Sequence, residues 1–189
     1  MRILIAEDEA IIRLGLKAML EEMGHQVVGA AADGVTAVQL ARSLKPDLAI
    51  LDIKMPNLDG LDAAEAITAE RPLPIVILTA YSSRDLVERA ANLSVHGYLV
   101  KPIRPAELGP ALEIAVSRFE EMQTLRQEAA DLQEALRARA VIEEAKRLLV
   151  KRYGLKEEEA FRRLQEQARR ERRPMRDVSE DILRSAEGL

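Results

Sequence analysis

Cysteine and tryptophan are both absent from this chain of 189 residues, and histidine occurs only twice. Without cysteine there are no disulfides and no thiolate metal sites, so a bound metal must be held by oxygen or imidazole. Aromatic residues make up 3% of the chain, which argues against the stacking surfaces of single-strand-binding proteins. No apolar run approaches the roughly 20 residues that span a bilayer. A strand is expected within two residues of Met1, leaving no room for a secretory signal, so the chain reads as cytoplasmic with no membrane partner. The formal net charge of −4 gives no whole-chain case for nucleic acid or anionic lipid. Glycine and proline are missing from Ala111 to Arg152, a stretch that therefore lacks the usual breakers of a helix.

What is present is 48% hydrophobic residues in two contrasting patterns. In the first part, short apolar runs at Ile3–Ala6, Gln26–Ala30, Asp47–Leu51, Pro74–Thr79 and Gly97–Val100 predict strands. Amphipathic stretches near Ile11–Glu22, Val35–Ser43, Leu61–Glu70 and Arg84–Asn92 predict the helices between them, with Gly24, Gly34, Lys45-Pro46, Pro56-Asn57 and Arg71-Pro72 at the joints. Such alternation implies βαβ units, a parallel sheet and helices on both faces. His25 and His96 stand near turns in this part and read as structural or solvent-facing residues rather than ligands.

After Pro105 no further strand is expected. Apolar residues recur at Leu108, Leu112, Ala115, Phe119 and Met122, then at Leu125, Ala129, Leu132 and Leu136, a spacing of mostly 4 and 3 that predicts a coiled-coil seam. About 40 helical residues would span ~60 Å at 1.5 Å each, and Gly109-Pro110 is a weak point where that helix could kink. Tyr153-Gly154 marks its end. A second helix opens with Glu157, Glu158 and Glu159 and is expected to bury Ala160, Phe161, Leu164 and Ala168. Pro174 stops it, and a third short helix carries Val178, Ile182 and Leu183. The fold class is therefore α/β, a doubly wound five-stranded parallel sheet, followed by a coiled-coil helix and a small three-helix bundle.

The chemistry concentrates at strand ends. Glu7 and Asp8 follow Ile3–Ala6, Asp52 ends the run from Leu48, Thr79 closes Ile75–Leu78, and Lys101 follows Tyr98-Leu99-Val100 and precedes Pro102. Singly, each has an ordinary explanation as a cap, a turn former or a strand end. Jointly they differ, because parallel strands gather their carboxyl ends at the crevice where open sheets bind ligands. Three carboxylates crowded there repel one another unless a hard cation such as Mg²⁺ holds them. Such a pocket, with a hydroxyl and a lysine, is equipped to hold a phosphoryl group on Asp52.

These residues, with Asp52-Ile53-Lys54-Met55-Pro56, Asp59-Gly60 and Thr79-Ala80, resemble the receiver domain of two-component response regulators, a flavodoxin-like (CheY-like) fold, over residues 1–120. The resemblance implies that Asp52 accepts a phosphoryl group from a sensor histidine kinase. It implies that Mg²⁺ is held by Asp8, Asp52 and the backbone carbonyl of Lys54, with Glu7 acting through water. Lys101 would pair with a phosphoryl oxygen, its peptide to Pro102 is expected to be cis, and Thr79 and Tyr98 would form the switch pair. Glutamate at the first acid position, in place of the commoner aspartate, is a slight departure.

The carboxyl-terminal part is similar to the ANTAR domain, an RNA-binding module of transcription antitermination regulators. The stretches that carry this are Leu136–Lys146, Gly154-Leu155, Glu158-Glu159-Ala160-Phe161, Leu164, Ala168, Asp177-Val178 and Ile182. The match implies an ANTAR domain over 125–186, entered through a coiled-coil linker helix at 121–136. Arg147 stands where glycine is usual, Lys156 where a capping Ser or Thr is common, and Met175 and Ser179 replace a leucine and an alanine. From Arg137 to Arg176 there are roughly two basic side chains for each acidic one. Charge alone leaves two readings open: phosphate neutralisation, or cations at a helix end and pairs within helices. With the resemblance, Arg137, Arg139, Lys146, Arg147, Arg169, Arg170, Arg172 and Arg173 become the candidate RNA contacts. Hairpin loops are the expected ligand, and a homodimer formed through the coiled coil on phosphorylation is the expected assembly. A DNA-binding output is disfavoured by the three glutamates that open the second helix, and a pure protein-interaction output would leave the basic face without a ligand. No enzyme is expected, since this part has no histidine, no cysteine and no acid cluster in a cleft.

Overall fold

Apolar runs become five strands, the inner three buried on both faces and the two edge strands less so: β1 (Arg2–Ala6), β2 (Gln26–Ala31), β3 (Leu48–Asp52), β4 (Ile75–Thr79) and β5 (Gly97–Val100). They pair in parallel in the order β2-β1-β3-β4-β5 in this computed structural model, which describes residues 1–80 and 95–187. Side chains alternate across each strand, as a pleat of period two requires. Leu4, Ala6, Ala49, Leu51, Ile75 and Ile77 enter one core, together with Ala37, Ala41, Leu61 and Ile67. Ile3, Ile5, Leu48, Ile50, Val76 and Leu78 enter the other, together with Leu16, Leu20, Leu108 and Leu112. The helices responsible are α2 (Gly34–Leu44) and α3 (Gly60–Glu70) on the first face, and α1 (Ala10–Glu22) with the start of α4 (Pro105–Tyr153) on the second. The sheet is thus doubly wound, as its alternating pattern predicted. The helix predicted over Arg84–Asn92 lies outside the described residues.

Local chemistry fixes where these helices begin. The Asp33 carboxylate caps α2 by accepting from the Thr36 N–H at 2.9 Å, and Asp59 caps α3 by accepting from Leu61 and Asp62 at 2.9 and 2.8 Å. Gly60 is required by close approach, because a Cβ there would lie 1.9 Å from the Asp52 carbonyl oxygen. His96 is buried rather than solvent-facing. Its Nδ1 accepts the Ile75 N–H at 3.2 Å, and its ring packs edge-on against Phe119 with centres 5.3 Å apart.

The chain divides into two compact units, Met1–Gln123 and Thr124–Leu189. α4 contributes to both and continues through Pro110. Its apolar stripe has two destinations. Leu108, Leu112 and Ala115 are buried in the second core of the sheet and Phe119 is half-buried against His96, so these members of the expected seam pack within the first unit. Leu125, Leu132 and Leu136 are 58%, 63% and 59% exposed.

In the second unit, α4 ends at Tyr153 and Gly154 turns the chain at φ +64°. Then follow α5 (Glu157–Glu171) and α6 (Met175–Glu187). Ala145, Leu149, Ala160 and Leu164 make the core, with Ile142, Leu155, Met175 and Ile182 against it. Lys156 is tolerated at the cap because Glu159 reaches back to accept its backbone N–H at 2.9 Å, which is half of a capping box. Ser179 is fully buried and its hydroxyl donates to the Met175 carbonyl at 2.8 Å, which removes the cost of a polar group there. One expectation fails: α5 buries Ala160, Leu164 and Ala168 at intervals of four, and Phe161, one residue on and so about 100° around the helix, is 41% exposed.

Candidate functional site

Strand register assembles the first site. Ala6 pairs with Leu51 and Asp52 with Leu78, while Thr79 pairs with Val100, so Glu7, Asp52, Thr79 and Lys101 all fall at the same end of the sheet. β1 and β3 are the neighbours at which the winding reverses, the place where open α/β sheets bind ligands. Asp52 is 4% exposed and Glu7 is fully buried. Lys101 Nζ lies 2.9 Å from Asp52 Oδ2 and 2.7 Å from Glu7 Oε2, and its peptide to Pro102 is cis. That ammonium is the counter-charge for both buried carboxylates. The other oxygen of Glu7 accepts the Glu9 N–H at 3.2 Å.

Electrostatics follow from that burial. Removal from water pushes the Glu7 carboxyl above its usual range; the Lys101 contact opposes this, and the Asp52 charge adds to it. Burial works against the Lys101 charge, but the contacts to Glu7 and Asp52 outweigh it, so its ammonium is held above the ordinary lysine value. Tyr98 is raised by burial and slightly relieved by Arg118.

Ligand atoms of Glu7, Asp8 and Asp52 lie within 4.8 Å of one another. Three carboxylates face one ammonium, an oxygen-only donor set with an excess of negative charge. These residues fit a hard divalent cation such as Mg²⁺. Asp8 is exposed at the mouth, and Lys54 is exposed on the loop two residues beyond Asp52. Thr79 is buried at the end of β4, and Tyr98 is 38% exposed on β5.

Arg13, on α1, is a residue that sequence reasoning missed. Its guanidinium donates to the Glu7 carbonyl at 2.5 Å and to the Asp8 carbonyl at 3.2 Å, pinning the loop that carries both acids. A contact to main chain leaves no signature in residue types.

The basic residues of the second unit divide into two sets. Lys146 pairs with Glu143 at 2.7 Å and Glu157 at 3.4 Å, and its side chain is 13% exposed. The Glu143 contact holds Lys146 above its ordinary value, with burial opposing, and holds the Glu143 carboxyl below its own. Arg173 pairs with Asp181 at 2.7 Å and Glu171 at 3.4 Å. Arg137, Arg139, Arg147, Arg169, Arg170 and Arg172 are exposed, and none of them makes an ion pair among the described residues. No helix among the described residues is long and apolar enough to cross a membrane.

The family model for the response regulator receiver domain matches residues 3–113, and the model for the ANTAR domain matches residues 130–183. The transcriptional regulatory protein PdtaR of Mycobacterium tuberculosis is 50% identical over 182 residues, covering 96% of this chain and 89% of that protein. The chemotaxis protein CheY of Thermotoga maritima is 34% identical over 112 residues, which are 59% of this chain and 93% of that one. Among solved structures, the signal receiver domain of a modulated diguanylate cyclase from Desulfovibrio desulfuricans superposes with a TM-score of 0.59 at 32% identity. That match covers 64% of this chain and 96% of that one.

Proposed function

From a chain that belongs to the response regulators, with a receiver domain followed by an ANTAR domain, we propose a phosphorylation-controlled transcription antiterminator that binds RNA hairpins. The observation that carries the receiver half is Asp52, buried at a strand end with Lys101 Nζ at 2.9 Å and two further carboxylates beside it. An Asp52 carboxylate oxygen attacks the phosphorus of a phosphohistidine on a sensor kinase. The phosphorus–nitrogen bond breaks, the imidazole leaves, and an acyl phosphate forms. Lys101 then meets a phosphoryl oxygen, and Thr79 turns its hydroxyl towards the same group while Tyr98 follows it. Asp8, Asp52 and the Lys54 carbonyl would hold Mg²⁺, with Glu7 behind them. When bound, the ion neutralises charge on the transferring group.

In the output half, the exposed arginines 137, 139, 147, 169, 170 and 172 are the proposed phosphate contacts. Lys146 and Arg173 join them only by giving up their carboxylate partners. Receiver, linker helix and ANTAR domain occupy 1–120, 121–136 and 125–186. Phosphorylation favours a homodimer through Leu125, Leu132 and Leu136, and two output modules held together grip paired RNA elements at raised effective concentration.

A small phosphodonor with Mg²⁺ should label the chain once, with the label released by hydroxylamine, and Asp52→Asn should take up none. Full labelling of that variant would defeat the assignment. A mobility-shift assay with a pool of RNA hairpins, with and without beryllofluoride, tests the output. Tighter RNA binding with the phosphate mimic supports the reading, whereas equal or tighter binding of duplex DNA would replace it with a DNA-binding regulator.

A further inference from the structure

The second unit contains two aromatic side chains, Tyr153 and Phe161, and neither belongs to its core. Tyr153 is 53% exposed and Phe161 41%, while the interior is filled by alanine and leucine. Aromatic rings are the largest apolar groups a small bundle can bury, so leaving both at the surface calls for a partner. Their surroundings differ. Phe161 borders a groove that also holds Glu157 and Glu158, with Lys146 already tied to Glu143 and Glu157. Tyr153 closes α4 beside the Arg163 guanidinium, whose carbon lies 4.9 Å from the ring centre.

Between α4, α5 and α6 that pair borders a groove of about 240 Å³, with Leu149 and Ile182 in its lining and Arg152, Arg163 and Gln167 around it. The volume falls below the ~300–1,000 Å³ of sites that enclose drug-sized ligands, so it suits one planar group rather than an extended one. The acid in the lining, Asp181, is engaged by Arg173 at 2.7 Å. Arg152 and Arg163 make no ion pair among the described residues, so the groove is effectively cationic, with a half-open π face and apolar side chains. Those are the requirements of an unstacked nucleobase flanked by its phosphates. In duplex DNA the bases are stacked on one another and have no free face to offer.

We propose that the Tyr153–Arg163 groove is a base-reading subsite that takes one unpaired base of an RNA loop. The base stacks on Tyr153, and the neighbouring phosphates meet Arg152 and Arg163. This rests on the RNA-binding reading above and adds where the loop, as distinct from the stem, is held. The contacts are few: one ring and two guanidiniums, with Gln167, whose amide donates to Glu171 at 3.0 Å, at the rim.

The test titrates the full-length chain with two probes, a pool of RNA hairpins with randomised six-nucleotide loops and a loopless RNA duplex of the same stem. Tyr153→Ala should weaken hairpin binding about tenfold, the loss of one stacked base. It should leave duplex binding and the salt dependence unchanged, and Tyr153→Phe should bind like the parent. Arg163→Gln should weaken hairpin binding and flatten its salt dependence by a slope of about 1 or slightly less. Photocrosslinking of 4-thiouridine placed in the loop should attach at or beside Tyr153. If the parent chain binds hairpins and Tyr153→Ala binds them equally well, or loses hairpin and duplex alike, the subsite is refuted while RNA binding stands. If the parent chain binds neither probe, both readings fall.

Discussion

Arg13 shows how far one side chain can act from the chemistry it serves. By holding the carbonyls of Glu7 and Asp8, it sets the loop from which both carboxylates project. Groups that orient a metal site from behind cost about 10–100-fold in affinity when removed. Arg13→Gln should therefore weaken Mg²⁺ binding about tenfold by calorimetry with an unchanged circular dichroism spectrum, and Arg13→Lys should recover part of it. Unaltered affinity would show that the loop is held by other means. His25 gives a pH signature of its own. Burial, and then the positive amino terminus, lower its pKa from 6.5, so the folded state keeps the imidazole neutral where the unfolded chain protonates it. Stability should be full above pH 6.5 and fall as pH drops below it, and His25→Gln should remove that slope in denaturant titrations at stepped pH. The acids, Asp52, Thr79 and Lys101 were legible in the sequence because each terminates an apolar run. Arg13 was not legible, because its partners are backbone atoms.

The strands and helices were readable for the same reason that they form, since apolar periodicity of two or near four dictates which face can be buried. The destination of a helical stripe was less readable. Leu108 and Leu112 follow the same spacing as Leu132 and Leu136, yet the first pair packs on the sheet and the second faces outwards. A stripe with steps of three and four serves a sheet or a partner helix equally well. Phe161 was misread because apolar character was taken as burial, although its neighbours Ala160 and Leu164 already define the inward face. Among the connections, that between β3 and α3 is the least forgiving. Gly60 sits so close to the Asp52 carbonyl that an added methyl must displace main chain next to the proposed phosphoacceptor. Gly60→Ala should destabilise the receiver by about 3 kcal/mol or more in urea unfolding and slow phosphorylation as well. A variant of native stability would mean that the loop yields more easily than its contacts imply.

For the assembled chain, the exposed leucines of α4 offer a direct measurement. Leu125→Lys with Leu132→Lys should change monomer stability by no more than about 0.5 kcal/mol, as expected of exposed positions. Sedimentation with beryllofluoride should then show a monomer where the parent chain is expected to dimerise, and hairpin affinity should fall although neither residue is a proposed RNA contact. A dimer that survives both substitutions would move the interface elsewhere. The basic face was only half legible. The Glu143–Lys146 pair is visible as an i,i+3 spacing, but the second hold on Lys146, from Glu157, crosses from one helix to the next and requires the fold to be known.

Glu7 buries a carboxylate beside the Asp52 charge with one ammonium shared between the two, and a group in that state draws on the free energy of folding. A cation that engages only the folded cluster returns some of that loss, so heat resistance becomes a function of solution composition. At an ion concentration one hundred times its dissociation constant, the gain is about 2.7 kcal/mol. The melting temperature should climb with added Mg²⁺ and drop with a chelator, and Asp8→Ala should melt at one temperature in both. The acidic pocket thereby ties the folded population of the receiver to the divalent ions around it.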